Sequence, residues 1–326
     1  MQYKSSSKIT GVGAYLPNRI LSNHDLEKLV ETSDEWIVRR TGVKERRISK
    51  EDEFSSDMAI RAVENLLSVN SSSIDNVDMI IVTTFTADHI TPAVSAIVQG
   101  HFGIPNAGTM DINAACTGFV YGLCAADSLI TSGSFNKILL ISSETMSKII
   151  DYNDRNTCII FGDAATAVIL EKTDKEGCFL ASDFNTDGKL AENITCSSLS
   201  NKVNEKMIKK NRMFEQDGKF IYEYIVRNIP DGIEHLLKKA ELSLDQIDWF
   251  VPHSANLRMI EALCKRLDFP MEKTLISNEY YGNTSSVTIP LAIWMALQQS
   301  KIKQGDKIIL YGFGSGLTYG GIVLEW

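Results

Sequence analysis

Apolar residues in this chain are arranged in two alternating patterns. One is a short continuous apolar run, which is typical of a strand buried on both faces. The other places apolar residues three and four positions apart, which is typical of a helix with one buried face. In the first part of the chain, predicted strands cover residues 77–85, 108–112, 136–144 and 166–172, and predicted helices cover residues 58–70, 92–103 and 116–132. This alternation predicts an α/β fold with both faces of its sheet covered.

The last third of the chain repeats the same order of patterns. Predicted helices cover residues 219–240, 257–269 and 287–300, and predicted strands cover residues 247–256, 273–277, 306–314 and 317–326. The connections correspond as well, because residues 67–82 and 240–251 both run from a helix end through a polar turn into an apolar strand. Internal similarity on this scale predicts two related halves, residues 1–172 and 173–326. An ordinary doubly wound fold without duplication is the alternative.

The duplication predicts which loops share a cleft. The halves join near residues 173–215, where the polar segment 198–211 is expected to be a helix or a loop. Loops that correspond between the two halves should converge on one site. This places Cys116, His253 and Asn283 next to one another, although they lie far apart in the sequence.

Composition and charge exclude several classes of partner. The chain has 326 residues, is 44% hydrophobic and has a formal net charge of −8, and no basic tract indicates nucleic acid binding. Its apolar runs are too short to predict a membrane span, and residues 1–17 are too polar for a signal peptide. The six cysteines are dispersed without zinc-site spacing, which indicates reduced thiols in the cytoplasm and no bound metal.

Cys116 lies in the stretch DINAACTGF, where a predicted strand gives way to a helix. The partial positive charge at a helix start lowers a thiol pKa from its usual ~8.5 and favours the reactive thiolate. The small residues Ala114, Ala115 and Gly118 are expected to leave room for a substrate. Many cysteines are inert core residues, however, and local context leaves the core thiol and the nucleophile equally open. Cys124, Cys158 and Cys264 are interpreted as core thiols.

Three other segments contain candidate chemistry. His253 follows a strand and a proline, where α/β folds place functional groups, although a structural role is the alternative. Asn283 precedes a helix, so helix capping is the alternative to a catalytic role. The glycine-rich turn 312–316 is either a plain hairpin or a source of backbone N–H groups for an oxyanion. A Cys/His/Asn set also occurs in papain-like proteases, but their local cysteine motif and fold pattern are absent from this sequence.

Together these segments resemble one enzyme family over essentially the whole chain. The stretches DINAACTGFVYGL, VPHSANLRMI, YYGNTSS and YGFGSGLTYGG, with TSDEWIVRRTGVKERRI and RNTCIIFGDAATAVIL, are similar to β-ketoacyl-acyl-carrier-protein synthase III. That family has the thiolase fold, so the resemblance implies two duplicated halves in a five-layered αβαβα arrangement. It also implies an acyltransferase that initiates fatty acid biosynthesis.

The resemblance implies a role for each motif. Cys116 would take an acyl group from acyl-CoA as a thioester, and the enolate formed by decarboxylation of malonyl-acyl carrier protein would attack it. His253 and Asn283 would stabilise that enolate, and the backbone N–H groups of Cys116 and Ser315 would hold the oxyanion. Phe313 would aid decarboxylation. No metal or redox cofactor is implied, because acyl-CoA is a substrate.

Binding residues are also implied by the resemblance. Trp36 and Arg155 match positions that sandwich the CoA adenine, and the rest of the CoA channel is matched by Thr32, Arg40, Ala255 and Asn256. A basic helix face for the acidic carrier protein is formed by Arg258, Lys265 and Arg266; its alternative is an ordinary solvated face. The family implies a homodimer in which one subunit reaches the acyl pocket of the other, near the position of Thr91.

Three departures from the family pattern concern specificity. Ser254 replaces a usual glutamine, Ser315 replaces a usual glycine, and Glu223 replaces a lysine that faces the carrier protein in some members. The HSAN motif also occurs in members that use branched primers. These departures leave the chemistry intact and leave the choice of partner and primer open. Two alternatives to the leading hypothesis also stay open: a related ketosynthase or acyltransferase of secondary metabolism, and a non-catalytic partner in a heterodimer.

Overall fold

Fifteen strands form the framework of the described part of the chain. The computed structural model describes residues 4–69 and 73–326. The strands are β1 (Ser7–Tyr15), β2 (Arg19–Ser22), β3 (Glu45–Ile48), β4 (Met79–Thr83), β5 (Gly108–Ile112), β6 (Lys137–Glu144), β7 (Ala164–Lys172), β8 (Phe179–Thr186), β9 (Ile194–Cys196), β10 (Lys202–Val203), β11 (Lys206–Met207), β12 (Phe214–Gln216), β13 (Trp249–Pro252), β14 (Lys307–Gly314) and β15 (Thr318–Glu325).

Ten α-helices accompany these strands in the same residues. They are α1 (Asn23–Leu26), α2 (Asp34–Thr41), α3 (Ser55–Val69), α4 (Val94–Phe102), α5 (Gly118–Thr131), α6 (Arg155–Cys158), α7 (Gly218–Lys239), α8 (Leu257–Leu267), α9 (Asn278–Tyr281) and α10 (Thr288–Gln298). Short 3₁₀ turns precede two of the central helices, at Ala115–Thr117 before α5 and at Ser285–Val287 before α10. Asn70, the last residue of the predicted helix 58–70, lies outside the described residues.

The two large sheets share the topology of four strands. The first has the order β1-β7-β6-β4-β5, and the second has the order β13-β14-β15-β8. Over four strands of each sheet, two antiparallel pairings lead to one parallel pairing, so β1, β7, β6 and β4 correspond to β8, β15, β14 and β13. The pairing of β4 with β5 adds a second parallel pairing to the first sheet. The first sheet takes its strands from residues 7–172 and the second from residues 179–325. The exact boundary between residues 172 and 173 stays a prediction.

The second sheet lacks a full counterpart of β5. Residues 273–277 were expected to form a strand, and this prediction is wrong: the segment makes an isolated parallel bridge between Phe250 and Thr274. A 3₁₀ turn at Met271–Lys273 and the start of α9 at Asn278 leave too few residues between them to extend the ladder. The segment 198–211 also differs from the expected helix or loop, because it contains the hairpin of β10 and β11.

Five layers result from the packing of helices on these sheets. Helices α3 and α4 cover the outer face of the first sheet, α5 and α10 lie between the sheets, and α7 and α8 cover the outer face of the second. In β6, Ile138 and Leu140 face the central helices, while Leu139 and Ile141 face α3 and α4. Continuous apolar strands follow directly from this double burial. The predicted five-layered αβαβα fold is confirmed.

Two edge strands were not predicted from the pattern. They are β1 and β8, which occupy corresponding edges of the two sheets and contain several small or polar residues. In the described part of the chain, no helix combines the length and the apolar character that crossing a bilayer requires.

Candidate active site

Cys116 lies where the central layer meets the ends of the parallel strands. Strand β5 ends at Ile112, and the chain then forms the 3₁₀ turn Ala115–Thr117 before α5 begins at Gly118. The turn is fixed to the other half of the molecule, because the hydroxyls of Thr117 and Thr318 are 2.7 Å apart. The nucleophile candidate is therefore held at the junction between the two halves.

The Asn283 loop follows the same backbone path as the Cys116 loop. Ala115 and Ser285 both have a positive φ, 45° and 54° respectively, which is uncommon for residues other than glycine. In each loop the backbone N–H of this residue donates to the side chain of an asparagine two residues earlier. Ala115 N–H donates to Asn113 Oδ1 at 3.4 Å, and Ser285 N–H donates to Asn283 Oδ1 at 2.8 Å. The correspondence predicted between these loops is thus present in atomic detail.

Asn283 does not occupy the N-cap position of the 3₁₀ turn or of α10, which is taken by Thr284 and Val287 respectively. Its Oδ1 accepts the hydrogen bond from Ser285 N–H, which fixes the side-chain amide. The backbone of Asn283 is fixed too, because its N–H donates to the carbonyl of Ile160 at 2.9 Å. With the carbonyl end of the amide engaged, the Nδ2 group is the end that can donate to another molecule. The hydrogen bond from Ser285 and the binding of a ligand are therefore compatible at this residue.

His253 follows the last residue of β13 and is almost completely buried. Its ring is 5.2 Å from the ring of Phe313 in an edge-to-face arrangement. Its Nδ1 lies 2.7 Å from Thr288 Oγ1, at the start of α10. Burial lowers the pKa of His253 from 6.5 to about 3, so the imidazole is neutral near pH 7.

The candidate residues from both halves line one cavity of about 250 Å³. It brings together Cys116, His253, Asn283, Phe313 and Ser315, as well as Ala255 and Asn256. The rest of its wall is largely apolar and includes Phe85, Phe161, Ile194, Phe214, Ile221, Ile225, Met259 and Leu317. The cavity therefore combines a thiol, an imidazole and an amide with an apolar wall that suits an acyl chain.

A wider cleft of about 1330 Å³ adjoins this cavity. Asn256, Tyr222 and Gly218 line both, so the cleft and the cavity lie on either side of the same residues. Trp36 and Arg40 line the wide part, as does Arg258. The hairpin segment 206–209 lies on the same wall, and it was missed as a binding element because its polar sequence indicated a loop or helix.

Trp36, in the wall of the wide cleft, lies close to two arginine side chains. The guanidinium carbons of Arg155 and Arg40 are 5.2 Å and 5.8 Å from the centre of its ring. Arg155 also donates to the carbonyl of Glu31 at 2.9 Å. Arg155 and Thr32 are not part of the cleft lining. The Thr32 hydroxyl is buried without a hydrogen-bond partner in the described chain.

Of the small residues near Cys116, one has the expected place at the cavity and one has a different role. Ala115 does line the cavity. A Cβ at Gly118 would lie 3.1 Å from Thr83 and 3.2 Å from Ser286, so this glycine permits close packing of α5 rather than access of a substrate. The residue that makes room at the cysteine is Gly314, where a Cβ would lie 2.8 Å from that of Cys116.

The pKa of Cys116 is shifted in the direction opposite to the one expected. Desolvation by burial is the main cause that raises the pKa of this thiol to about 12; the hydrogen bond from Ser285 opposes the shift, and the nearby carboxylate of Glu144 adds to it. In the free protein, the cost of removing a thiolate from water outweighs the favourable field of the helix start. The proton therefore resides on the sulfur and has to be removed during any reaction.

Glu144 is the main site residue that the sequence did not reveal. It ends β6 and is fully buried. One carboxylate oxygen accepts from Thr86 Oγ1 at 2.6 Å, and the other accepts from Ser285 Oγ at 3.3 Å and Ser286 Oγ at 2.8 Å. Burial raises the pKa of Glu144 to about 7. The available signal was a glutamate at the end of a strand whose residues 138–141 are apolar.

The residues that depart from the family pattern are all structurally engaged. Ser254 is buried, and its Oγ accepts from Ser277 N–H at 3.1 Å. Ser315 Oγ donates to the carbonyl of Ile194 at 3.0 Å, which ties the glycine-rich turn to the cavity wall. Glu223 is on the exposed side of α7, within 4.0 Å of Lys219.

The basic face of α8 is divided into two parts. Arg258 is paired with Glu261 at 2.7 Å and donates through Nε to the carbonyl of Arg39 at 2.8 Å. Lys265 and Arg266 are exposed in the last turn of the helix and make no ion pair with any described residue. The free positive charge on this face is therefore concentrated at its C-terminal end.

Comparisons with known proteins agree over the whole chain. The family model for 3-oxoacyl-[acyl-carrier-protein (ACP)] synthase III matches residues 110–188, and the model for its C-terminal part matches residues 237–326. The chain is 49% identical to beta-ketoacyl-[acyl-carrier-protein] synthase III 2 of Bacillus anthracis, over 99% of this chain and 98% of that protein. The corresponding protein of Bacillus subtilis is also 49% identical, over 99% of both chains.

Solved structures give the same result. The crystal structure of the synthase III of Thermus thermophilus matches with a TM-score of 0.94 and 38% identity, covering 98% of this chain and 99% of that one. The similarity therefore extends over nearly the full length, in sequence as well as in fold. The chain belongs to the 3-oxoacyl-[acyl-carrier-protein] synthase III family of condensing enzymes.

Proposed function

We propose that this protein initiates fatty acid biosynthesis by condensing an acyl-CoA primer with malonyl-acyl carrier protein through an acyl-cysteine. The observation that carries the proposal is the convergence of Cys116, His253 and Asn283 in one apolar cavity at the end of a wide cleft. A thioester substrate with a long carrier arm needs this shape, because its reacting end must reach a buried nucleophile. The reaction requires no metal or redox cofactor.

In the first half-reaction, the sulfur of Cys116 attacks the carbonyl carbon of the acyl-CoA thioester. Negative charge develops on the carbonyl oxygen, and the backbone N–H groups of Cys116 and Ser315 are placed to stabilise it. Both residues line the cavity that holds the reacting sulfur. CoA leaves, and the acyl group remains on the enzyme as a thioester.

In the second half-reaction, malonyl-acyl carrier protein loses CO2. The enolate that results carries negative charge on its thioester oxygen, and Asn283 Nδ2 and His253 Nε2 are the donors proposed to bind that oxygen. Both side chains are held in place, by Ser285 N–H and Thr288 Oγ1 respectively. Phe313 packs against the imidazole and keeps water away from the carboxylate that is lost. The enolate carbon then attacks the acyl-cysteine.

The wide cleft is proposed to bind CoA. Trp36, Arg40 and Arg155 form a stacking site for adenine, in which cation–π contacts contribute. Thr32, Ala255 and Asn256 are assigned to the rest of the channel. Among these, Asn256 has the clearest support, because it lines both the cleft and the cavity.

The carrier protein is proposed to dock on the basic face of α8. Lys265 and Arg266 supply positive charge that no described carboxylate neutralises, and an acidic carrier would be attracted to it. Arg258 is assigned to the same face, although its pairing with Glu261 reduces its net charge. Replacing Lys265 and Arg266 with alanine should raise the KM for malonyl-acyl carrier protein while the KM for acyl-CoA is unchanged.

We propose a cytoplasmic homodimer as the working form. Strand β5 lies at an edge of the first sheet and is only partly buried, so it is free to meet a second copy. Ile90, in the loop before α4, is 79% exposed, which is unusual for a large apolar side chain in a monomer. The six cysteines are all free thiols, the form that the reducing cytoplasm maintains. Light scattering on the purified protein measures the oligomeric state.

A primer panel tests the proposed reaction. Acetyl-, isobutyryl-, isovaleryl- and octanoyl-CoA are each incubated with the protein, and intact-mass spectrometry measures the adduct before malonyl-acyl carrier protein is added. We expect an adduct of acyl mass that is absent from Cys116→Ala, and a ketoacyl product after the second substrate. Absence of product with every primer would defeat the proposal. An adduct that persists in Cys116→Ala would defeat the role of the cysteine.

A further inference from the structure

Glu144 connects the two halves of the candidate site. Its Oε2 accepts hydrogen bonds from the loop after β4, where Thr84 Oγ1 and Phe85 N–H are 3.3 Å away and Thr86 Oγ1 is 2.6 Å away. Its Oε1 accepts from Ser285 and Ser286, in the turn before α10. The carboxylate is therefore held by five donors, none of which is a charged side chain.

Ser285 stands between Glu144 and the nucleophile. Its Oγ is 3.3 Å from Glu144 Oε1 and 3.5 Å from Cys116 Sγ. A hydroxyl has one proton, so it cannot donate to both acceptors at the same time. When Ser285 donates to the carboxylate, its lone pairs face the thiol and can accept the S–H proton. When Glu144 is protonated, the Ser285 hydroxyl can donate to the sulfur instead.

The surroundings of Glu144 supply no competing charge. Hydroxyl and backbone N–H groups contact it from the β4 loop and from the turn before α10, and Cys116 is the titratable side chain that faces it through Ser285. No described lysine, arginine or histidine forms an ion pair with it. The proton that this carboxylate can exchange most directly is therefore the proton of the thiol.

We propose that Glu144 accepts the proton of Cys116 through Ser285 during acyl transfer, holds it in the acyl-enzyme, and returns it when condensation releases the cysteine. This inference rests on the reaction proposed above. Because Ser285 contacts the reacting sulfur, it is the catalytic residue of the pair. Glu144 acts through Ser285 and is a positioning residue that also stores the proton.

The proton and the bonds balance over the cycle. As the sulfur attacks the acyl carbon, the S–H bond breaks and its proton moves to Ser285 Oγ, while the original Ser285 proton moves to Glu144 Oε1. The bond from the acyl carbon to CoA breaks, and CoA leaves as a thiolate that takes a proton from solvent. In the condensation, the bond from the acyl carbon to Cys116 breaks, and the sulfur regains its proton from Glu144 through Ser285.

The competing acceptor is His253, and its environment makes it the weaker base. Burial lowers the pKa of His253 to about 3, whereas burial raises the pKa of Glu144 to about 7. A neutral Glu144 in the acyl-enzyme also removes one negative charge from beside the cavity in which the negatively charged enolate must form. The transfer of the proton from Cys116 to Glu144 therefore assists the acylation and also the condensation.

Two serines that both contact Glu144 Oε1 provide a matched test. Ser285→Ala removes the link between carboxylate and sulfur, whereas Ser286→Ala removes a hydrogen bond of 2.8 Å to the same oxygen and leaves the link intact. Single-turnover acylation of Cys116 by acyl-CoA is followed by quenched-flow and intact-mass spectrometry across the pH range. We expect Ser285→Ala to slow acylation by about 10²-fold, and Ser286→Ala to slow it by less than about threefold.

Glu144→Gln adds a charge-specific readout. It keeps the shape of the side chain and removes the base, so we expect slow acylation whose rate continues to rise with pH as hydroxide replaces the carboxylate. Equal acylation rates in Ser285→Ala and Ser286→Ala, or a wild-type pH profile in folded Glu144→Gln, would overturn the relay. If Glu144→Gln does not fold, the serine pair decides. Wild-type protein that forms no adduct with any primer would instead defeat the proposed function itself.

Discussion

Thr288 offers a direct test of the role proposed for His253. Its Oγ1 lies 2.7 Å from His253 Nδ1 and 3.0 Å from the carbonyl of Ser285. The single hydroxyl proton can go to only one of these acceptors. The proposed enolate donor is His253 Nε2–H, which requires Thr288 to donate to Nδ1. Thr288→Val keeps the size of the side chain and removes the donor that fixes this tautomer.

The cost of this change follows from the burial of the imidazole. A neutral hydrogen bond contributes about 1 kcal/mol, and a buried Nδ1 left without its donor adds a similar penalty, so about 2 kcal/mol of transition-state stabilisation is lost. This corresponds to a decrease in decarboxylation rate of roughly 30-fold. Since burial lowers the pKa of His253 to about 3, protonation near pH 6 does not supply the missing N–H group.

The two half-reactions separate this effect from a general loss of structure. We expect Thr288→Val to acylate Cys116 at nearly the wild-type rate and to release CO2 from malonyl-acyl carrier protein slowly, measured with isotopically labelled malonyl groups. Thr288→Ser retains a hydroxyl and should recover most of the activity. A folded Thr288→Val protein that decarboxylates at the wild-type rate would refute the reasoning about the tautomer.

Three further predictions concern space, charge and binding. Gly314→Ala places a Cβ 2.8 Å from that of Cys116 and should lower the rate of acylation by about 10²-fold. The control Gly100→Ala places its Cβ in open space and should acylate at the wild-type rate. Equal rates of adduct formation in the two variants, measured by intact mass, would contradict this. The pKa of Glu144 is about 7 in the folded protein and near 4.5 in the unfolded chain, so the free energy of unfolding of the wild type falls as the pH rises from 4.5 to 7. In urea titrations, the free energy of unfolding of Glu144→Gln should therefore rise by roughly 3 kcal/mol relative to that of the wild type between pH 4 and pH 8. A difference that stays constant with pH would exclude this. Trp36→Ala should raise the KM for acyl-CoA about tenfold while the saturated acylation rate persists, and an unchanged KM would remove Trp36 from the CoA site.

Much of the fold is determined locally by the sequence. Strands such as β6 and β14 are apolar at consecutive positions because helices cover both of their faces. The same double burial occurs in both parts of the chain, so the apolar pattern by itself predicts the duplication. The helices are equally clear from their periodicity, and α7 (Gly218–Lys239) and α8 (Leu257–Leu267) differ from the predicted ranges by two residues or fewer at each end.

Other elements depend on partners that are distant in the sequence. The edge strands β1 and β8 contain small and polar residues, so their pairing partners in each sheet, and not their own pattern, make them strands. Residues 273–277 have a suitable apolar pattern and still form a single bridge, because neighbouring turns limit their length. In the polar segment 198–211, strand pairing across a short turn likewise prevails over the local pattern.

In the candidate site, too, some features follow from the sequence and others depend on residues that are distant in the sequence. By itself, the sequence determined that Cys116, His253 and Asn283 meet, because duplicated halves place corresponding loops at one cleft. Only the tertiary structure decided which groups surround them. It placed Ser285 beside the thiol and Glu144 beside Ser285. It also placed Thr288 beside the imidazole and Gly314 against the cysteine. It also reversed the expected pKa shift of Cys116, since desolvation depends on every group packed around the sulfur, whereas the helix start acts from a few neighbouring residues.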